Sequence, residues 1–322
     1  MSRIHEALKK AEQERSTIAG SEHAPALPAS MLPDLPESIL ESAGTNASEA
    51  GVSSLGFEPT ITAVGSAPIE YLRFDDLRKR CPHPEWRPDP NVNVFANPDL
   101  SKHGAEQFRT LRSRLYQARN HQPLRSLLVT SSMPGEGKTF VSVNLAQAIV
   151  RQPDRRAVII DADLRCARVH TLLGAPQAPG LTDYLRGETD ELGIIQFGPD
   201  GSLCLVPGGN EVTNPSELLS NGRLGTLIER LAPVFDWIIL DSPPCLPVAD
   251  ASILAGICDS VLLVVKAGST PAATAQRARQ ELQTRNIIGV VLNAVGEAHM
   301  NSEYYHAYRY GYGAQRSSKT EA

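Results

Sequence analysis

Short apolar runs alternate with amphipathic stretches along the second half of the chain. Most of these runs are continuously apolar, which is typical of strands covered on both faces of a parallel sheet. With helical stretches between them, they predict a doubly wound α/β domain over residues 95–300. The six predicted strands are SLLVTS (126–131), AVIID (157–161), SLCLVP (202–207), WIILD (237–241), SVLLVV (260–265) and IIGVVLN (287–293).

The residues before this domain have a different pattern. Ile4, Ala7, Leu8 and Ala11 recur at helical spacing and predict a short helix within residues 1–15. Residues 16–70 contain no lysine or arginine, seven acidic residues and scattered Pro, Ser and Gly. Such a composition favours disorder. We therefore predict a largely disordered linker over residues 16–94, whose mixed last part, 71–94, leads into the domain.

Composition and charge argue against several classes of protein but do not identify the function. The net charge of −5 gives no electrostatic reason to expect a nucleic-acid partner. The five cysteines lack metal-ligand spacing and indicate reduced thiols. No apolar run approaches the ~18 residues of a membrane span, and the charged N-terminus is unlike a secretion signal. We expect a cytoplasmic protein that docks onto a membrane partner.

The segment SSMPGEGKTF (131–140) indicates a phosphate-binding loop between a strand and a helix. Gly135 and Gly137 let the backbone curl, Lys138 can reach the β- and γ-phosphates, and Thr139 can ligate Mg²⁺. Ser132 stands where such loops normally begin with glycine.

Carboxylates follow two of the predicted strands. Asp161 and Asp163 end the run VIIDADLR, and Asp241 ends WIILDSPP in the pattern of a Walker B strand. Strand ends of this kind are where open α/β sheets bind ligands. One carboxylate can help to hold hydrated Mg²⁺ and another can orient an attacking hydroxyl. A solvated strand end, with Asp163 paired to Arg165, is the alternative.

Together, SSMPGEGKT, DADLR and ILDSPP resemble the cytoplasmic domain of the bacterial tyrosine kinases of capsule and exopolysaccharide synthesis. The resemblance covers residues 95 to 312 and implies a P-loop fold with ATP and Mg²⁺. In that family serine at the glycine position is usual. One departure is Cys166-Ala167 after Arg165, where a basic residue and proline are common.

The resemblance also implies roles for individual residues. It implies catalytic roles for Lys138, Asp161, Asp163 and Asp241, and Mg²⁺ binding by Thr139, Asp163 and Asp241. The nucleotide-binding residues that it implies are Pro134, Gly135, Glu136, Gly137, Lys138, Thr139, Phe140 and Asn293, where Asn293 would meet the adenine or only end a strand.

Two further features match the same family. The helical pattern 102–118 places Glu106, Arg109 and Arg112 at steps of three, which resembles the family's ring-forming motif; a solvated charged face is the alternative. The tail, residues 301–322, carries five of the chain's eight tyrosines within nine residues. The resemblance implies that these are phosphoacceptors: Tyr304, Tyr305, Tyr308, Tyr310 and Tyr312.

We therefore expect a tyrosine autokinase that acts in trans within a ring. The resemblance implies a membrane chain-length or polysaccharide co-polymerase as activator in trans, through which the kinase is recruited to the membrane, and a cognate tyrosine phosphatase. A partition-type ATPase switch and a nucleotide-binding scaffold without kinase activity remain open. Met133 argues against a partition-type ATPase switch, since partition ATPases have a lysine at this position.

Overall fold

We describe the protein from a computed structural model, which covers residues 72–296 and leaves the side chains of residues 98–103 aside. Seven strands in this part form one sheet: β1 (Ser126–Ser131), β2 (Ala157–Asp161), β3 (Gln196–Phe197), β4 (Leu203–Val206), β5 (Trp237–Asp241), β6 (Ser260–Lys266) and β7 (Ile287–Asn293). Their order is β3-β4-β2-β5-β1-β6-β7, and every pair is parallel except β3–β4. The predicted mostly parallel α/β sheet is thus confirmed.

Ten helices accompany the sheet in the described residues. They are α1 (Phe74–Arg80), α2 (Pro98–Arg119), α3 (Lys138–Val150), α4 (Val169–Leu173), α5 (Leu181–Arg186), α6 (Glu191–Ile194), α7 (Pro215–Leu219), α8 (Arg223–Leu231), α9 (Asp250–Ala255) and α10 (Ala272–Glu281). None of these helices is both long and apolar enough to cross a bilayer.

The continuous apolar character of the strands has a simple cause. Leu127 and Val129 of β1 belong to one hydrophobic cluster, whereas Leu128 between them belongs to the other. Consecutive side chains of a strand point to opposite faces, so a strand with helices on both sides needs apolar residues at every position. All six residues of β1 and all five of β5 are buried.

Strand β3 was not predicted from the sequence. It has two residues, which is too few for any periodicity, and it pairs antiparallel with β4 through Gln196–Leu205 and Phe197–Cys204. The other six strands begin and end within one residue of their predicted limits.

The prediction of a linker up to residue 94 needs correction for residues 72–94. Phe74 and Leu77 of α1 lie in one hydrophobic cluster, and Trp86 and Val94 lie in the other. The side chain of Asn144 also binds the backbone of this segment, accepting from the Val94 amide at 2.9 Å. The charged residues and prolines around these few apolar anchors concealed them. The helix within 1–15, the linker 16–70 and the tail 301–322 lie outside the described residues.

Candidate active site

The turn between β1 and α3 has the geometry of a phosphate-binding loop. Gly135 and Gly137 adopt φ of +81° and +92°, in the left-handed region that favours glycine. Gly137 is the N-cap of α3, and no side chain caps the helix. Because the first amides of a helix have no intrahelical acceptor, they stay available to an anion at this end of α3.

The loop is fastened from within and from two neighbouring segments. The buried carboxylate of Glu136 accepts a hydrogen bond from the Met133 amide at 2.9 Å and another from the Thr270 hydroxyl. The Nδ2 atom of Asn293, at the end of β7, donates to the backbone oxygen of Glu136 at 2.9 Å. Glu136 and Asn293 therefore shape the loop in this structure.

The register of three parallel strands brings the strand-end carboxylates together. Asp161 and Asp241 are direct partners across β2 and β5, and Asp241 is also the partner of Val129 across β5 and β1. Strand β1, which leads into the loop, therefore lies directly beside Asp241, and Asp161 lies one strand further away. The carboxyl ends of parallel strands lie at one edge of a sheet, where α/β proteins bind ligands.

Lys138 and Asp163 form an ion pair in this cleft. The Nζ atom lies 2.8 Å from Oδ2 of Asp163, and the two side chains are only 15% and 4% exposed. The other oxygen of Asp163 accepts from the Cys166 amide at 3.1 Å. The alternative pairing of Asp163 with Arg165 is not what the structure contains.

Asp241 is held by two hydroxyl groups of α3. Thr139 Oγ1 donates to Oδ2 of Asp241 at 2.7 Å, and Ser142 Oγ donates to Oδ1 at 3.0 Å. The sequence predicted a role for Thr139 but not for Ser142. Its spacing could have identified Ser142, because this residue lies one turn after Lys138 and so shares the helix face that is directed to the strand end.

Asp161 is buried and bound by backbone amides of the loop that follows it. Its Oδ2 accepts from the Val169 amide at 2.9 Å, and its Oδ1 accepts from the Asp163 amide at 3.3 Å. Strand β2 ends at Asp161, so Asp163 lies in the loop that follows the strand. Both carboxylates nevertheless lie in the same cleft.

The charges in the cleft shift one another's pKa values. Burial raises the pKa of Asp161 well above its usual range, and the negative charge of Asp241 adds to the effect. Burial also raises the pKa of Asp241 to about 6, although Lys138 and the two hydroxyls oppose it. For Lys138, burial disfavours the charged form, but the attraction of Asp241 and Asp163 outweighs it and raises the pKa. The cleft thus holds a charged lysine and crowded carboxylates, a pattern common at catalytic sites.

A second ion pair fixes the loop that carries Asp163. The Arg165 guanidinium binds both oxygens of the fully buried Asp250, at 2.7 and 3.1 Å, and also donates to the Ser216 hydroxyl at 3.0 Å. Three segments at the edge of the cleft are joined in this way. The sequence contained no signal for this arrangement, because its members are 34 to 85 residues apart.

Some predicted site residues lie elsewhere. The ring of Phe140 packs edge-on against Phe108 of α2, with ring centres 5.8 Å apart, so its side chain takes part in packing rather than in the cleft. Glu106 and Arg109 form an exposed ion pair on α2. Arg112, in contrast, donates to the Ala148 backbone oxygen at 2.6 Å and is engaged within its own chain. The tyrosine cluster lies outside the described residues.

The residues of the cleft fit a magnesium ion that is shared with a nucleotide. In the described part of the chain, no group of three or more His, Cys, Asp and Glu side chains forms a ready metal cage. Mg²⁺ usually binds through one or two carboxylates together with phosphates and water. The Thr139 hydroxyl and the buried Asp241 carboxylate supply such a partial set.

Comparisons with known proteins agree with this geometry. A family model described as the CobQ/CobB/MinD/ParA nucleotide binding domain matches residues 127–313. The chain is 33% identical over 203 residues to the tyrosine-protein kinase YwqD of Bacillus subtilis, covering 62% of this chain and 85% of YwqD. It is 34% identical over 207 residues to the tyrosine-protein kinase etk of Escherichia coli K12, covering 64% of this chain but only 28% of etk.

Two solved structures of kinase domains are also similar to this chain. The kinase domain of Escherichia coli ETK superposes with a TM-score of 0.57 at 35% identity, covering 59% of this chain and 75% of that domain. The VpsO kinase domain superposes with a TM-score of 0.55 at 30% identity, covering 61% of this chain and 98% of that domain.

Proposed function

Because this chain belongs to the CobQ/CobB/MinD/ParA nucleotide-binding family, and within it to the bacterial tyrosine kinases, we propose that it transfers the γ-phosphoryl group of ATP to tyrosines of its own C-terminal tail. The observation that carries the proposal is the contact between the P-loop lysine, Lys138, and the carboxylate of Asp163, with Asp161 and Asp241 in the same buried cleft. Relatives named as tyrosine kinases support the reaction type.

Each side chain of the cleft has a distinct part in this proposal. Lys138 leaves Asp163 and neutralises charge on the transferring phosphoryl group. Thr139 and Asp241 would hold Mg²⁺, with Asp163 supporting its water ligands, and the ion would supply positive charge that offsets the charge of the phosphates. Asp161, whose pKa burial raises, accepts the proton of the tyrosine hydroxyl.

The proposal includes partners that the longer relatives suggest. This chain spans only 28% of the length of etk. We propose a membrane polysaccharide co-polymerase as activator in trans, peripheral recruitment to the inner face of the membrane, a cognate phosphatase and a ring-shaped homo-oligomer. Deleting residues 1–20 would test whether the N-terminal segment docks to that activator, because membrane recruitment should then fall; unchanged recruitment and polymer output would contradict it.

The central experiment is phosphotyrosine mapping by mass spectrometry. The purified chain is incubated with Mg-ATP, with and without a basic segment of a candidate activator, beside Lys138→Met. We expect phosphate on Tyr304, Tyr305, Tyr308, Tyr310 or Tyr312 of the original chain and none on the variant. ATP hydrolysis without phosphotyrosine would favour a partition-type switch, and neither activity would favour a nucleotide-binding scaffold.

A further inference from the structure

A cleft of about 660 Å³ lies against the P-loop, and it is lined by none of the three aspartates of the active site. Three segments form it: the start of the P-loop at Met133–Glu136, the segment after β5 at Leu246 and Pro247, and the region from the end of β6 into α10. All three follow the carboxyl ends of parallel strands, where an α/β sheet binds ligands. None of the residues assigned to Mg²⁺ or to proton transfer lines it.

The cleft combines positive charge with hydroxyl and apolar groups. Lys266 and Arg277 are exposed on its wall, and neither has an ion-pair partner among residues 72–97 and 104–296, the side chains that the structure describes. The only acidic side chain of the lining, Glu136, is buried and already accepts bonds from Met133 and Thr270. The remaining lining is hydroxyl-bearing or apolar: Met133, Pro134, Gly135, Leu246, Pro247, Ser269, Thr270, Pro271 and Thr274.

The walls of the cleft are tied directly to the phosphate-binding loop. The hydroxyl of Thr270 donates to the Glu136 carboxylate, and the Cys245 amide donates to the Ser131 backbone oxygen at 2.8 Å. A peptide in the cleft would therefore lie beside the loop that holds the phosphates. An aromatic ring would find apolar contacts there, and an acidic neighbour of that ring would meet the two cations.

The chain itself contains a segment with this chemistry. Between residues 298 and 320 the only acidic residue is Glu303, and it directly precedes Tyr304 and Tyr305. We propose that the cleft receives residues 303–305 of a second copy of the chain, with Lys266 and Arg277 recognising the carboxylate of Glu303. This proposal rests on the proposed function and specifies its acceptor: a tyrosine preceded by an acidic residue.

The transfer step that this docking serves is balanced without a further reactant. The tyrosine oxygen forms a bond to the γ-phosphorus of ATP while the bond from that phosphorus to the bridging oxygen breaks. ADP carries away the electron pair, and the phenolic proton passes to the Asp161 carboxylate of the active site. The two cations take no part in the bond changes, so they should affect acceptor recognition rather than nucleotide binding.

A charge exchange between enzyme and acceptor tests the proposal. The acceptor is the full chain carrying Lys138→Met, with an isotope label that separates its peptides from those of the enzyme. The enzyme is the full chain, original or with Lys266→Glu and Arg277→Glu together. We expect the reversed enzyme to show a KM for the acceptor raised at least ~10-fold at Tyr304 and Tyr305, the loss typical of removing hydrogen-bonded charge contacts. Its nucleotide affinity should be unchanged.

The decisive arm reverses the acceptor as well. Glu303→Lys in the acceptor should weaken phosphorylation by the original enzyme and restore phosphorylation by the reversed enzyme. Arg279→Glu is the matched control, because Arg279 is exposed on the same helix but does not line the cleft; it should leave the KM unchanged. Absence of restoration, or an equal loss with the control, overturns the docking proposal.

The outcomes separate this proposal from the proposed function. If the original enzyme phosphorylates the tail without any dependence on these charges, the docking proposal fails and the kinase assignment stands. If it phosphorylates no tyrosine at all, both fail. Phosphate that appears only on the enzyme's own peptides, at a rate independent of dilution, would contradict a second copy as the occupant.

Discussion

The Nζ atom of Lys138 lies 2.8 Å from Oδ2 of Asp163, and both side chains are nearly removed from solvent. The P-loop lysine is therefore paired with a carboxylate in this structure. If nucleotide binding draws Lys138 to the phosphates, Asp163 loses this partner and keeps the Cys166 amide. Binding would thus exchange one strong charge contact for another, and Asp163 would become free to support Mg²⁺.

We expect Asp163→Asn to separate nucleotide binding from catalysis. Lys138 would no longer have to leave a carboxylate, so the affinity for Mg²⁺-free ATP should be equal or higher. Phosphoryl transfer should fall by ~100-fold or more, which is the scale of losing one preorganised charged group. Fluorescent-nucleotide titration and phosphotyrosine rates measure the two effects.

Asp236→Asn is the control for this comparison. Asp236 pairs with Arg155, also at 2.8 Å, but precedes β5 and so lies at the opposite end of that strand. It should change neither nucleotide affinity nor rate. If Asp163→Asn clearly loses affinity for Mg²⁺-free ATP, Lys138 does not exchange its contact with Asp163 for contacts with the phosphates.

The Asp241 carboxylate should lower the stability of the nucleotide-free protein near neutral pH. Burial raises its pKa from 3.8 to about 6, so between these values the folded protein keeps a proton that the unfolded chain has released. Stability therefore falls as the pH rises through this window. Above about pH 6, the resulting loss of unfolding free energy is on the order of 3 kcal/mol at most.

Asp241→Asn should consequently raise the melting temperature by about 5 °C at about pH 8 and hardly at all at about pH 4, while activity is lost. Asp250→Asn should have the opposite effect and lower the melting temperature. The Arg165 and Ser216 contacts lower the pKa of Asp250 even though burial alone would raise it. The charge of Asp250 therefore stabilises the fold above the pKa of the unfolded chain. Thermal unfolding across pH measures both. A lower melting temperature of Asp241→Asn at every pH would show that its hydroxyl contacts outweigh the charge.

Arg165 should act as a positioning residue. It binds Asp250 through two contacts and lies two residues after Asp163, so it holds the loop in place when Lys138 departs. We expect Arg165→Gln to lower kcat by ~10-fold or more with nucleotide affinity nearly unchanged, and Arg165→Lys to recover only part, because lysine lacks the planar fork.

The matched control here is Arg230→Gln, which removes another partly buried ion pair, the one with Glu191. It should reduce stability without lowering kcat. Equal effects of Arg165→Gln and Arg230→Gln on kcat would assign both residues a general structural role.

Gly137 should be irreplaceable for two separable reasons. Its φ of +92° disfavours a side chain, and an added Cβ would come within 2.0 Å of Asn293 Nδ2. Gly222 has a similar φ of +81° but open space around it. Both alanine variants should lose about 1–2 kcal/mol of unfolding free energy from backbone strain. Only Gly137→Ala should lose nucleotide affinity, by equilibrium titration. An equal affinity in the two variants would contradict a role for this close approach in the site.

Much of the fold was predictable because burial on both faces leaves a strong local pattern. Strands such as Trp237–Asp241 are continuously apolar and end in a charged residue, so both their limits and the edge of the sheet that binds ligands can be predicted from the sequence. Residues 72–94 were missed because single anchors such as Trp86 and Leu77 have no periodicity. The contact of Arg112 with α3 was likewise not predictable, since helical spacing alone cannot say which side of α2 meets α3.

The sequence by itself determined the α/β class, the phosphate-binding turn and the strand-end aspartates, because each depends on neighbours within a few residues along the chain. Only the tertiary structure decided which groups meet: that Lys138 pairs with Asp163, that Arg165 pairs with Asp250 rather than Asp163, and that Asn293 supports the P-loop. These partners are 25 to 157 residues apart. Their contacts follow from the register of parallel strands, which local propensity does not encode.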